Sequence, residues 1–153
     1  MRTAKRTDRK TEPLPTLRTR ISLDRVFSLH EMEMIKRGVV PTQMEDKWFI
    51  FWEHGHLYFH RSWTGLCIYV VRFIKEKDVW RMTQAEVNRD PSQYSVTNDK
   101  RNAQLISYLI SVLLLGEASQ FPASLEGGHG KSQLEAWAFT GRASLGDHPN
   151  RER

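Results

Sequence analysis

Two runs of aromatic and branched residues, two positions apart, constrain this chain more than anything else in it. Residues 47–53 read KWFIFWE and residues 56–61 read HLYFHR, with only His54-Gly55 between them. Such runs favour β-strands. A two-residue connection ending in glycine fits a type I′ hairpin, and histidine tolerates positive φ better than most residues. With His54-Gly55 as the turn, Glu53 pairs with His56, Phe51 with Tyr58, and Phe49 with His60. Alternation then puts Trp48, Ile50, Trp52, Leu57, Phe59 and Arg61 on the opposite face. That second set is apolar except at its end, so it is the natural seat for a helix.

The hairpin extends into a meander. LCIYVVRFI (66–74) predicts a third strand and DVWRMTQAEV (78–87) a fourth. If Ser62 to Gly65 form a four-residue loop, Ile68 and Val70 join the apolar face. Cys67, Tyr69, Val71 and Phe73 then join Tyr58 and His60, and an odd loop length would exchange the two sets. Before the hairpin, Ser22 reads as a helix N-cap, with Asp24 and Arg25 in the first turn and Gly38 as the stop. After the meander, the turn formers of NRDPSQYSVTND lead into a helix from about Asp99 to Leu115, capped by Thr97 or Asn98 and ended by Gly116. Its broad apolar stripe implies burial against the sheet. The expected fold is α+β: a four-stranded antiparallel meander packed by a long C-terminal helix, with an N-terminal helix.

Length and charge set the organisation. A chain of 153 residues is one ordinary domain, and 39% hydrophobic with 27% charged residues is a globular composition. Residues 1–20 hold seven Lys/Arg and two acids, so they carry the entire net charge of +5. They show no hydrophobic period and contain Pro13 and Pro15. The reading is a disordered basic arm over 1–20, a single domain over 21–116, and a mobile tail over 117–153 with a short helix near Gln133–Phe139. Such an arm offers weak, non-specific contact with nucleic acid. The only cysteine is Cys67, so no intrachain disulfide can form. No apolar leader opens the chain, and the run Leu105 to Leu115 is short of the ~20 residues that span a bilayer. A cytoplasmic protein with no membrane partner is expected.

Known chemical signatures are weak. His56 and His60 lie four residues apart on one strand, about 13 Å at Cα, too far to share a zinc ion. EGGHGKS (126–132) lacks the first glycine of a P-loop. Ser62 has no nucleophile elbow around it. No metal or cofactor is therefore expected, and no catalytic set is assigned. The candidate ligand-binding residues are Glu53, His56, Tyr58 and His60 on the polar-aromatic face, Arg61, Ser62, Trp63 and Thr64 in HRSWTG, and Arg89 and Asp90 in VNRDPSQY. His60 and Arg61 would donate to an anion, with Trp63 as a stacking plate. The N-terminal helix either covers the polar-aromatic face or leaves it open.

The stretch MEDKWFIFWEHGHLYFHRSWTGLCIYVVRF, followed by AEVNRDPSQY and an apolar helix ending LLLG, resembles a family of small uncharacterised bacterial proteins. The resemblance covers roughly residues 44–116. It implies that both termini are additions, and it transfers no catalytic residue. The reading for function is a small binding or regulatory module recognising an anionic or aromatic ligand, or a protein partner, through this face and loop. Two alternatives stand beside it: a small hydrolase or nucleotide-processing enzyme using His60, Arg61 and Glu53, and an RNA-binding sheet aided by the arm.

Overall fold

β2 (Trp48–Glu53) and β3 (His56–Arg61) form the expected hairpin, with Glu53 opposite His56 and Phe49 opposite His60. His54 and Gly55 have φ of 51° and 82°, the left-handed pair of a type I′ turn. The computed structural model describes residues 2–122 and 139–140. In it β4 (Cys67–Glu76) and β5 (Val79–Asn88) complete the meander, and a fifth strand, β1 (Arg18–Ser28), pairs with β5. The sheet is antiparallel throughout, in the order β1-β5-β4-β3-β2.

The four-stranded expectation fails because the segment after Ser22 is strand. Ile21 and Leu23 are buried while Ser22 and Asp24 are exposed, the period of two of a half-buried strand. The helix starts later: α1 (Leu29–Arg37) is capped by Ser28, whose hydroxyl accepts from the Glu31 N–H while the Glu31 carboxylate accepts from the Ser28 N–H. It ends where expected, with the Gly38 N–H donating to Ile35 O. β1 and β2 lie on opposite sheet edges. The chain between them contains α1, which buries Met32 and Ile35 in the core.

α2 (Asp99–Leu109) packs on the same face, capped by Asn98 and continued by a π-helical segment, Ile110–Leu114. Leu105, Ile106 and Leu109 meet Trp48, Ile50, Leu57 and Phe59 in one core. Fully burying such side chains contributes about 1.5–3 kcal/mol each.

The faces of β4 differ from the four-residue-loop expectation. Phe59 pairs with Tyr69 but His60 pairs with Cys67, so a bulge inserts one residue beside the loop. One inserted residue flips the alternation. Tyr69, Val71 and Phe73 therefore face the helices, and Val70 sits beside Tyr58 on the other side.

The arm is ordered. The Ala4 N–H donates to Arg37 O, Arg6–Asp8 form a 3-10 turn, and the Glu12 N–H donates to Gly65 O. Ala4 is buried with Phe49 and Phe51. Composition misleads here because the arm needs few apolar anchors: the sheet supplies the rest of the apolar surface, and backbone bonds fix its path. The tail expected beyond Gly116 lies mostly outside the described residues, as does most of its short helix. Its described part docks: Phe121 packs edge-on against Tyr108, and Phe139 O accepts from the Trp48 indole.

Candidate functional site

The question of what covers the polar-aromatic face has an answer: the arm covers it, and α1 lies on the opposite side. Register sets out this face in rows. Phe51, Tyr58, Val70, Glu86 and Arg20 form one row across five strands. Glu53, His56, Arg72 and Gln84 form the next, and Phe49, His60 and Cys67 a third. The arm crosses the β2–β3 part of this surface. Arg6 makes a two-pronged bond to Glu53, with Nη2 to Oε1 at 2.8 Å, and its guanidinium lies 4.7 Å and 4.8 Å from the Phe51 and Tyr58 ring centres. That bond holds the Glu53 carboxyl below its usual range, against a smaller opposing effect of burial.

One cavity lies between arm and sheet, and a second adjoins it on the sheet face. The inner one has a volume of about 310 Å³, with His60, Cys67, Val70 and Tyr58 among its sheet residues and Pro13 and Leu14 among its arm residues. Arg6, Arg18, Glu12 and Glu86 also line it. The outer one, about 390 Å³, shares Tyr58, Val70 and Glu86 and adds Arg20, Arg72, His56 and Gln84.

His60 is the unusual member. It is 1% exposed, and its Nδ1 lies 2.8 Å from Gly65 O. A carbonyl only accepts, so Nδ1 carries the proton and the neutral ring presents a lone pair at Nε2. That nitrogen is buried and has no hydrogen-bond partner among the described residues. Burial pushes the His60 pKa down, the Gly65 bond opposes that, and the Arg6 charge adds to the lowering. Cys67, opposite His60, is pushed up to about 12 by burial. The pair is thus a neutral imidazole and a neutral thiol, which is not the thiolate that nucleophilic catalysis needs.

The HRSWTG loop is used structurally. Arg61 lies 4.9 Å from the Trp48 ring centre on the helix side, away from His60. Ser62 Oγ donates to Asp46 O, the Trp63 indole to Met44 O, and Thr64 Oγ1 accepts from the Leu66 N–H. Gly65 does the most: its φ is 79°, its carbonyl accepts from both His60 and Glu12, and a Cβ there would sit 2.7 Å from Lys10 O. Arg89 bonds Val96 O, Thr97 O and Asp99, and Asp90 accepts from Ser92. These two order the loop before α2 and do not line the cleft.

Of the expected site residues, His56, Tyr58 and His60 line the cavities, and Glu53 anchors the arm that roofs them. Sequence reasoning missed Arg6, Arg18, Arg20, Arg72, Gln84 and Glu86. The signal for Arg18 and Arg20 was their alternation with Thr19 and Ile21, which sets both on one face of a strand. No cluster of metal-ligating side chains occurs among the described residues. No helix among them is long and apolar enough to cross a membrane. Comparison with protein-family models, with curated proteins and with solved structures gives no match.

Proposed function

We propose that this protein is a small binding module that holds an anionic small molecule in the cleft between its arm and its sheet. The observation that carries this reading is the arginine-rich lining of the two cavities. Four arginines, at 6, 18, 20 and 72, line the two cavities against Glu12 and Glu86. Arg6 is committed to Glu53, while Glu86 is shared at long range, 3.5 Å from Arg18 and 3.7 Å from Arg20. Arg72 has no ion pair among the described residues, which leaves cationic capacity for an anion. HRSWTG supports this site through its backbone, by fixing the arm at Gly65.

The alternatives draw less support. The enzyme reading needs His60, Arg61 and Glu53 together, yet Arg61 points to the other face and Glu53 is held by Arg6. The RNA reading needs exposed stacking plates and a free basic arm. Phe49 and Phe51 are buried, and Arg2, Arg6, Arg9 and Arg18 all bond within the chain.

The test is heteronuclear NMR of the full chain titrated with inorganic phosphate, acetate, benzoate and phenyl phosphate. Expected are shifts concentrated on Tyr58, Val70, Glu86 and His60. Silence from the whole panel, or shifts centred elsewhere, overturns the reading.

A further inference from the structure

The two edges of the sheet are treated differently. At the β2 edge, Val39 exchanges two backbone bonds with Ile50, its N–H donating to Ile50 O and its carbonyl accepting from the Ile50 N–H. β1 forms the other edge over 11 residues and pairs only with β5. The Arg89 N–H donates to Leu17 O, so the bonds to β5 run through Leu17, Thr19 and Ile21. The N–H and C=O groups of Arg18, Arg20 and Ser22 therefore point away from the sheet, and among the described residues nothing bonds them. The register shift against β5 between Ser22 and Arg25 leaves burial alternating without a break along β1, so the same pattern continues through Asp24 and Val26. A long open edge invites a further strand unless it is blunted. β1 carries no proline and no lysine, and exposed Leu17, Val26 and Leu29 add apolar surface along it.

Charge decides what the further strand is. Arg20 and Asp24 lie on the outer face, one on each side of Ser22, with side chains 65% and 79% exposed. Arg20 reaches Glu86 only at 3.7 Å, and Arg81 holds Asp24 through Oδ1, which leaves Oδ2 without a bond among the described residues. In an antiparallel self-pairing centred on Ser22, Arg20 of each copy faces Asp24 of the other, and Ile21 faces Leu23 on the helix side. Centring on Arg20 or on Asp24 would oppose like charges. Centring on Ile21 would offer Asp24 to Arg18, whose guanidinium is already bonded to Leu14 O and Pro15 O.

We propose that β1 pairs antiparallel with β1 of a second copy of this chain, about a two-fold axis at Ser22, so that the two sheets become one. Backbone bonds supply the attraction, and the two symmetry-related Arg20–Asp24 pairs set the register. The pairing needs no ligand in the cleft, so either reading can fail alone.

The experiment is sedimentation of the full chain from micromolar to millimolar concentration, with amide hydrogen exchange at both ends of that range. A monomer–dimer equilibrium is expected. On dimerisation the amides of Arg20 and Ser22 should gain protection, while those of Thr19 and Ile21, bonded to β5, stay protected throughout. Arg20→Asp and Asp24→Arg should each weaken the dimer about tenfold or more, because symmetry repeats each like-charge contact. The two reversals combined should regain most of the loss. Melts of dilute protein check that each variant folds. A chain that stays monomeric at millimolar concentration overturns the proposal. So does a dimer in which the Arg20 and Ser22 amides still exchange freely, one indifferent to both single reversals, or one that the combined reversal weakens further.

Discussion

On one side of the sheet, α1 and α2 bury Met32, Ile35, Leu105, Ile106 and Leu109 against apolar side chains from all five strands. On the other, the segment from Arg2 to Leu17 crosses the surface, and its apolar cluster with the sheet has three fully buried members, Ala4, Phe49 and Phe51. The helix side is closed by area, through continuous packing in which the buried polar groups of Tyr69, Tyr94 and Asn102 bond to one another. The arm side is closed by points: an N–H bond at Arg37, an ion pair at Glu53, a carbonyl at Pro41 and another at Gly65. Point closure leaves space between the points, and the inner cavity lies there with His60 in its wall. The main core thus lies on one side of the sheet and the proposed binding cleft on the other.

Four measurements would break or sharpen this comparison. The largest effect is expected on the helix side: Leu109→Ala should destabilise by about 2–5 kcal/mol in urea unfolding, as buried leucines do. A cost below that of any arm-side change would reverse the assignment of the main core. Next is removal of residues 2–14. It uncovers Phe49 and Phe51 and deletes the Arg6–Glu53 pair, so a loss of about 2–3 kcal/mol is expected from the buried area alone. An unchanged melting temperature would return the arm to the free tail that its composition suggests.

Gly65→Val comes third, at about 2 kcal/mol, from a branched side chain at positive φ and a clash with Lys10 O. In the chain lacking residues 2–14 the clash is gone and only the backbone strain remains. The two costs should therefore add to less than their sum. Strict additivity would show that Gly65 does not fix the arm.

The smallest effect is a pH dependence. The pKa of His60 in the folded chain is lowered from its ordinary value of 6.5. Below that value the unfolded chain takes up a proton that the folded one refuses, so stability is full above it and falls as pH drops toward the folded pKa. Unfolding at about pH 7.5 and about pH 5.5 should show the loss, and His60→Gln should flatten the slope. An equal slope in His60→Gln would assign it to other groups.

The hairpin register, the α1 stop at Gly38, the Asn98 cap and the apolar stripe of α2 were legible because each is written locally. Turn chemistry, capping residues and a period of 3.6 need no distant partner. The placement of His56, Tyr58 and His60 on one face followed from the same local alternation. The N-terminal part misled because Ile21, Leu23 and Phe27 alternate over a segment that also satisfies loose helical spacing. The edge of β5 decides between the two by offering a ladder of backbone partners. The Ile68 bulge carries no local mark, since one inserted residue changes the face of Tyr69 without changing composition.

Sequence alone determined that this chain builds an antiparallel sheet around a His-Gly hairpin with a buried helix on its apolar side. Only the tertiary structure decided that the basic arm is the cover of the other side. Burial of Ala4, the Arg6–Glu53 pair and the Glu12–Gly65 bond join residues 33 to 53 positions apart, and no pattern within either segment specifies such contacts. The same distance hides the site: His60 is an ordinary strand histidine until Gly65 takes its proton-bearing nitrogen and the arm shuts the other away from water.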